Sequence, residues 1–279
     1  MIGAFRRRKL NAIVTEVLVM LVAIVFLIPF YLLLINSVKG VAEQLTNTAG
    51  WPSAFVWNNY SKAWNALNFP DVFLRSLLIT VFSNIGLTII SALAAHRMVR
   101  MPTRFNTAVF YLFIASMAIP FQSLMLPLVQ VIRELGMINS LGGIVFTYWG
   151  LGLSFSIFLF HGFVKTISYE IEEAAIIDGC GPLRVFWRIV VPLLQPMTVS
   201  LVLLNTLTFW NDFLLPNLLL TKSELHTIQT AMNAFFGEFL TRWDLALPAL
   251  VLGTAPAILF FLLMQRRIIE GVAGGAVKG

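Results

Sequence analysis

Charged residues are scarce in this sequence, and cysteine is almost absent. Asp, Glu, Lys and Arg make up 11% of the 279 residues, while 58% are hydrophobic; ordinary soluble domains carry about 25% charged residues. Water cannot be the main solvent of such a chain, so its composition predicts a membrane protein. Cys180 is the only cysteine, which excludes an intrachain disulfide, and we assign it no redox role.

The sequence also lacks the patterns of nucleotide binding, metal binding and catalysis. No G-x-x-x-x-G-K-[ST] phosphate loop occurs, and in the glycine-rich stretch 271–279 Lys278 is followed by glycine. His96, His161 and His226 have no carboxylate or cysteine at metal-ligand spacing, which favours ordinary histidines at span ends. There is no Ser-His-Asp pattern, so we expect no catalytic residue and no metal site in this chain.

Six apolar blocks are each long enough to cross a membrane, for which about 20 apolar residues suffice. They lie at residues 13–38, 74–95, 106–131, 141–163, 193–220 and 245–264. The first block is too long for a signal peptide and is followed by no small-residue cleavage site, so we expect an uncleaved span. The predicted fold is an all-α membrane bundle of six transmembrane helices.

Basic residues and prolines add detail to this bundle. Most of the 19 Lys and Arg residues cluster at 6–9, 97–104, 165–188 and 266–278, and the positive-inside rule then places both termini in the cytoplasm. Basic groups at span ends set orientation and do not indicate nucleic-acid binding. Prolines are expected to bend or interrupt the spans, at Pro29, Pro120, Pro127, Pro196, Pro216, Pro248 and Pro256.

The predicted cytoplasmic loop between the fourth and fifth spans, residues 165–192, is patterned as two short helices, and we call it the elbow. A helix through 172–178 meets Gly179, which can adopt the positive φ of a helix C-cap. Pro182 suits the first turn of a second helix, which should stop near Pro192. Ala174 and Ala175 leave room for a close approach, and larger apolar side chains could fill a partner's groove: Ile176, Ile177, Phe186 and Trp187. On the residues alone, an elbow lying on the membrane surface is as plausible as one docked to a partner.

The elbow resembles the coupling signature of ABC-importer permeases, which reads EAA, three residues, G, nine residues and I-x-L-P. The matching residues are Glu173-Ala174-Ala175, Gly179 and Ile189-Val190-Val191-Pro192, with Val191 in place of leucine. Weaker signals extend the resemblance over the chain to permeases of the maltose and trehalose class: Asn58-Asn59-Tyr60, Trp210-Asn211-Asp212 and the ending 275–279.

This resemblance implies a type I importer in the inner membrane, in which the chain contacts lipid and one second permease subunit. Two ATPase subunits would bind ATP and Mg, and an extracytoplasmic sugar-binding protein would deliver a carbohydrate. It also implies three regions: an N-terminal part at 1–73, a core at 74–264 that contains the elbow, and a tail at 265–279. The residues expected to couple to the ATPase are Glu173, Ala174, Ala175, Asp178, Gly179, Phe186, Ile189 and Pro192.

Polar residues inside the spans are the candidates for the substrate pathway. Asn205, Thr208 and Asp212 are spaced to share one helical face, and Trp210 and Asn211 adjoin them. A carboxylate facing lipid costs at least about 2.5 kcal/mol, so this face should point to the bundle interior, either as a sugar pathway or as a polar clasp between helices. Asn84 and Gln122 are further candidates, for which a helix–helix hydrogen bond is favoured.

Other functions remain open on the sequence. Cationic side chains clustered inside the spans would favour an ABC permease for another solute, such as glycerol phosphate, and the apolar blocks contain no such cluster. An ion-coupled secondary transporter could use Asp212, but it would not need the elbow. The remaining alternative is a membrane scaffold that transports nothing. In the favoured reading, the external loop 221–242 reaches into the sugar-binding protein.

Overall fold

Residues 2–237 and 242–276 are described in a computed structural model, with side chains described for 12–237 and 242–265. The regular elements of this part of the chain are helices, and no β-strand occurs there. The α-helices are α1 (Ile2–Ser37), α2 (Val41–Thr46), α3 (Asn58–Leu67), α4 (Phe69–Arg100), α5 (Arg104–Ser116), α6 (Phe121–Glu134), α7 (Leu141–Val164), α8 (Tyr169–Ile177), α9 (Pro182–Val185), α10 (Val191–Leu193), α11 (Gln195–Asn211), α12 (Leu214–Leu219), α13 (Ile228–Asn233) and α14 (Trp243–Ala276). A π-helical turn at Phe186–Val190 joins α9 to α10, and a 3₁₀ turn lies at Ser223–Leu225.

Among the described residues, four helices are each long and apolar enough to cross a membrane. They are Ala12–Ser37 of α1, the whole of α4 and α7, and Trp243–Gln265 of α14. Two bent pairs pass the same test together: α5 with α6 at 109°, and Pro182–Leu193 with α11 at 72°. Counting each pair as one span gives up to six, the number of apolar blocks, in agreement with the predicted all-α membrane fold. The second pair overlaps the fifth block, 193–220, only in part, because it also includes the second arm of the elbow.

The prolines act differently according to their position in the helices. Pro120 stands immediately before α6 with extended backbone, φ −68° and ψ 138°, and the predicted third span is interrupted there because proline disfavours helical geometry in the residue before it. Pro196 occupies the first turn of α11, where the missing N–H costs no helical hydrogen bond. By contrast, α1 continues past Pro29 and α6 past Pro127.

The fifth apolar block, 193–220, is not one continuous helix. Its main helix, α11, ends at Asn211, and Asp212 has an extended backbone with φ −71° and ψ 124°. The short helix α12 then begins at Leu214. The sequence predicted a bend or an interruption of this span at Pro196 and Pro216, and the break between α11 and α12 instead lies at Asp212, the only carboxylate of the block.

The chain divides into two compact units, and the first comprises residues 1–69 and 232–254. Its organising residue is Lys39, which is fully buried. The Lys39 ammonium donates hydrogen bonds to the carbonyl oxygens of Asn47 at 2.6 Å and Gly50 at 2.7 Å. Nearby, the backbone N–H of Ser53 donates to Glu43 at 2.7 Å and lowers the pKa of that carboxyl. These bonds fix the segment between α1 and α3, because each ties a polar side chain to loop backbone.

The second unit comprises residues 70–231 and 255–279. Its buried apolar side chains form two clusters. One contains Phe160 and Val190 and packs α7 against the elbow. The other contains Leu87, Tyr148 and Leu215 and packs α4, α7 and α12 together. The first cluster supports the elbow, and the second supports the membrane cavity described below.

Candidate functional site

The turn of the elbow is a helix C-cap that requires glycine. At the end of α8, Gly179 has φ +86°, in the left-handed region that glycine adopts without strain. The N–H of Gly179 donates to the Ile176 carbonyl at 3.0 Å, and the N–H of Cys180 donates to the Ala175 carbonyl at 2.9 Å, which is the pattern of a Schellman motif. An added Cβ at Gly179 would meet nothing within 4 Å, so the backbone conformation, and not a lack of space, selects glycine.

The second arm of the elbow begins at Pro182 and remains helical to Leu193, close to the predicted stop at Pro192. Its middle part is the π-helical turn, in which the N–H of Val191 donates to the carbonyl of Phe186. Such single wide turns are rare within helices and are frequent at functional sites. The chain then bends by 72° into α11, so the elbow continues directly into a membrane-spanning helix.

Exposure separates the predicted coupling residues into two groups. Glu173, Ala174, Asp178, Gly179 and Pro192 are exposed, and Ile189 is half-buried. Ala175 and Phe186 are buried in the cluster against α7, with Phe186 only 2% exposed.

The prediction that Phe186 fills a partner's groove is therefore wrong, because its ring is already packed inside this chain, and the small side chain of Ala175 serves internal packing. Exposed apolar side chains do occur on the elbow. Ile177 is 84% exposed and Leu183 is 71% exposed, and both could meet a partner.

A cavity of about 750 Å³ lies within the second unit, beside α7 and α11 and at the break between α5 and α6. Polar and aromatic side chains line it together. The polar members are Ser116, Tyr148, Ser154, Asn205, Thr208, Asn211 and Asp212. Four of the predicted pathway residues thus share one cavity: Asn205, Thr208, Asn211 and Asp212.

Asp212 reaches this cavity from outside the helix that carries Asn205 and Thr208. Its carboxylate accepts the Tyr148 hydroxyl at 2.8 Å and the backbone N–H of Leu214 at 2.9 Å. An aspartate side chain that bonds backbone N–H groups ahead of it competes with helix continuation, which explains why α11 ends at Asn211. The three residues predicted to share a helical face, Asn205, Thr208 and Asp212, nevertheless line the same cavity, since Asp212 directly follows the last residue of α11.

The α11 residues of the cavity keep hydrogen-bonding capacity. The Thr208 hydroxyl donates to the Leu204 carbonyl at 2.9 Å, and the Asn211 amide donates to the Leu207 carbonyl at 2.8 Å. The Asn205 Nδ2 group is buried and has no hydrogen-bond partner among the described residues. Buried polar groups are usually paired, so an unpaired amide in a cavity wall indicates a place for a polar ligand or for water.

A second cavity, of about 610 Å³, lies beside α4, α11 and the part of α14 after residue 255. It contains two other predicted residues, Asn84 and Trp210. The Asn84 amide donates to the Thr206 hydroxyl at 3.1 Å, which is a helix–helix hydrogen bond between α4 and α11. The Trp210 ring packs against Phe73 with centroids 5.7 Å apart. Gln122 is exposed and lines neither of these two cavities.

Residues 84–273 match the family of the binding-protein-dependent transport system inner membrane component. The chain belongs to this family. It is an inner-membrane permease subunit of an ABC importer, whose ATPase is a separate subunit, so this permease is not itself an enzyme. Among the described residues, no group of three or more His, Cys, Asp or Glu side chains could hold a metal ion.

Several permeases of sugar transport systems are similar to this permease over nearly their full length. "Probable starch degradation products transport system permease protein AmyC" of Thermoanaerobacterium thermosulfurigenes is 36% identical over 92% of this chain and 93% of its own. The melibiose/raffinose/stachyose import permease protein MelC of Bacillus subtilis is 35% identical over 98% and 99%. The multiple sugar-binding transport system permease protein MsmG of Streptococcus mutans is 28% identical over 98% and 99%.

A solved structure has the same fold as this permease. It belongs to a bacterial ABC transporter involved in the import of the acidic polysaccharide alginate. The TM-score is 0.81 at 20% sequence identity, and the match covers 92% of this permease and 96% of the other chain. The bundle predicted from apolar blocks and the elbow pattern is therefore the fold of an ABC-importer permease.

Two features of these sites were missed in the sequence. Tyr148 lies 64 residues from its partner Asp212, and a tyrosine in a glycine-rich span has no local signal for that bond. Glu172 is buried and pairs with His96 and Arg100 of α4, whereas its neighbour Glu173 attracted attention through the coupling signature. The available signal was helical spacing, because Glu172 and the buried Ala175 lie three residues apart on one face of α8.

Proposed function

We propose that this permease forms half of the translocation pathway for a carbohydrate and that the 750 Å³ cavity lies on this pathway. The observation that carries the proposal is the combination of groups in the cavity wall. Asn205, Thr208 and Asn211 bring amide and hydroxyl groups next to the rings of Tyr148 and Phe155. Sugars need hydrogen-bond partners for their hydroxyls and flat aromatic surfaces for their C–H faces.

The charge of this cavity supports a neutral sugar over a phosphorylated solute. Its lining residues include no Lys or Arg in the described part of the chain, and phosphate recognition depends on such cations or on helix N-termini. The carboxylate of Asp212 is already bonded within the chain, which leaves it poorly suited to bind a coupling ion. The names of the similar permeases, which refer to starch products and to melibiose, raffinose and stachyose, point the same way.

The elbow is proposed to be the docking surface for the ATPase. Its exposed side includes Glu173 and Asp178 beside the apolar Ile177 and Leu183, and a mixed surface with apolar anchors suits a protein partner. Two ATPase subunits would bind ATP and Mg, and a second permease subunit would complete the pathway. The elbow and both termini would then lie in the cytoplasm.

On the opposite side of the membrane, the loop 221–242 is proposed to contact the external sugar-binding protein. Residues 238–241 of this loop lie outside the described residues, as do 277–279 of the proposed C-terminal tail, 265–279. The remaining proposed regions are 1–73 and the core 74–264.

The pathway proposal is tested by Asn205→Leu, which replaces an amide side chain in the cavity wall by an apolar side chain of similar size. We expect uptake of the transported sugar to fall two- to tenfold, since one neutral hydrogen bond contributes about 0.5–1.5 kcal/mol, and the order in which sugars compete for uptake to change. The matched control is Asn217→Leu, the same change at an exposed position of α12. An unchanged order of competition together with lower stability of the complex in detergent would assign Asn205 to a clasp between helices.

A further inference from the structure

The buried carboxylate of Glu172 joins the elbow to α4. Glu172 is 3% exposed, and both of its oxygen atoms have partners on the last turns of α4. Oε2 lies 2.8 Å from His96 Nε2, and Oε1 accepts from Arg100 Nε at 2.8 Å, with Arg100 Nη2 at 2.7 Å. A buried charge is tolerated when it is paired and hydrogen-bonded in this way. Removing any one of the three side chains would therefore leave a buried group without its partner.

The same two α4 side chains hold three further parts of the elbow. Arg100 Nη2 donates to the Ile167 carbonyl at 2.9 Å, before α8 begins, and the guanidinium lies 5.5 Å from the centre of the Tyr169 ring. The His96 ring lies 5.3 Å from that of Phe186, on the second arm. The end of α4 therefore contacts both arms of the elbow, and Glu172 is the one charged group of α8 in this joint among the described contacts.

The opposite end of α4 is also bonded to a distant segment. Arg75 Nε donates to the His226 carbonyl at 2.9 Å, and the Ser76 hydroxyl accepts from the N–H of Ile228 at 3.0 Å. These bonds bridge more than 150 residues of sequence. Both joints lie on α4, which is one continuous helix of 32 residues and is about 48 Å long at 1.5 Å per residue. An uninterrupted helix therefore connects the elbow with the segment 226–228.

We propose that Glu172 is a positioning residue for energy coupling, which locks the elbow to α4 through His96 and Arg100. Without these ion pairs the elbow would still be linked to α11 through the covalent chain and to α4 through the apolar cluster that includes Ala92 and Ala95. It would lose the charged contacts that hold α8 rigidly against α4. This inference rests on the proposed docking of the ATPase at the elbow. Glu172 itself faces the interior of the chain, so its role differs from that of the exposed Glu173.

The test compares Glu172→Gln with Glu170→Gln in the complete complex of permeases, ATPase subunits and binding protein, reconstituted in lipid vesicles. Glu170 is an exposed carboxylate in the first turn of the same helix. Three quantities are measured: the ATPase subunits retained on purification, the ATP hydrolysed, and the maltose or raffinose taken up. We expect Glu172→Gln to retain its ATPase subunits and to take up about tenfold less sugar per ATP hydrolysed, because the neutral amide loses the buried ion pairs that hold the elbow against α4.

Arg100→Lys provides a second test that preserves the positive charge. Lysine can pair with Glu172 but cannot also hold the Ile167 carbonyl with a planar fork, so a smaller loss in the same ratio is expected. If Glu172→Gln does not assemble, the result for Arg100→Lys decides. Normal uptake per ATP in either assembled variant would overturn the inference, as would a loss of uptake that merely follows loss of the ATPase subunits. Wild-type complex that transports none of the sugars would instead contradict the proposed function.

Discussion

At the scale of single residues, Asp212 is the feature that connects the cavity to the local fold. Its two oxygen atoms serve different purposes, because Oδ2 accepts from Tyr148 on α7 while Oδ1 accepts from the backbone at the start of α12. Hydrogen bonds to a charged acceptor contribute about 1.5–3 kcal/mol each. One side chain therefore orients a cavity-lining tyrosine and fixes the break after α11.

We predict that Asp212→Asn lowers both the thermal stability of the purified complex and sugar uptake, and that Tyr148→Phe has a smaller effect on stability. The asparagine loses the charge that strengthens every bond at this site, whereas the phenylalanine removes one donor and leaves the bond from the Leu214 N–H in place. The relative stability of the two variants is measured by heating each complex in detergent and recording the temperature at which its single size-exclusion peak is lost. A Tyr148→Phe complex less stable than Asp212→Asn would contradict this account.

Residue-level prediction from the sequence succeeded where helical spacing alone decides the geometry. Asn205 and Thr208 lie three residues apart in α11 and do line one cavity. Asp212 was assigned to the same face on spacing and lines the same cavity, but the sequence did not show that its carboxylate also bonds the backbone of the next helix where α11 ends. Whether a side chain extends a helix or caps the next one depends on contacts such as the Tyr148 hydroxyl, which no local pattern contains.

At the scale of elements, the elbow depends on the backbone conformation at Gly179. Its φ of +86° is accessible to glycine without strain, while the neighbouring Gly181 has φ −69°, which any residue can adopt. An added Cβ meets nothing within 4 Å at either position. The two glycines therefore differ in backbone conformation but not in available space.

This difference gives a matched pair of substitutions. Gly179→Ala should strain the turn by about 1–2 kcal/mol and reduce uptake, because the arms of the elbow no longer hold their angle. Gly181→Ala should leave uptake within about twofold of wild type, since its backbone is already compatible with alanine. Uptake is compared in cells at equal abundance of the two variants. Equal uptake by both would show that the left-handed turn is not needed for coupling.

The elbow was largely predictable because its boundaries are set by local chemistry. Gly179 ends the first arm and Pro182 begins the second, as glycine and proline require. The π-helical turn at Phe186–Val190 and the 109° bend between α5 and α6 were not predictable in that form. Pro120 indicated a break, but the angle depends on packing against α7, where the Ser116 and Ser154 hydroxyls lie 2.7 Å apart.

At the scale of the whole molecule, the account places two partner surfaces on opposite sides of the membrane. Ile177 is exposed on the elbow, and Asn233 is exposed at the end of α13, within the loop 221–242. A cysteine at Ile177 should crosslink to the ATPase, and one at Asn233 should crosslink to the sugar-binding protein. Cys180 is replaced by alanine beforehand, so that each variant has one thiol. Crosslinking of both positions to the same partner would contradict the proposed orientation.

The central claim is that this chain is a carbohydrate-transporting permease driven by a separate ATPase, and the most direct test is uptake by the reconstituted complex. Vesicles containing both permeases and the ATPase subunits receive the binding protein, ATP and a series of labelled sugars and glycerol phosphate. The account predicts ATP-dependent accumulation of one or more oligosaccharides, stimulation of ATP hydrolysis by the same sugars, and no accumulation of glycerol phosphate. Accumulation of glycerol phosphate alone, or of no sugar by a complex that hydrolyses ATP, would contradict it.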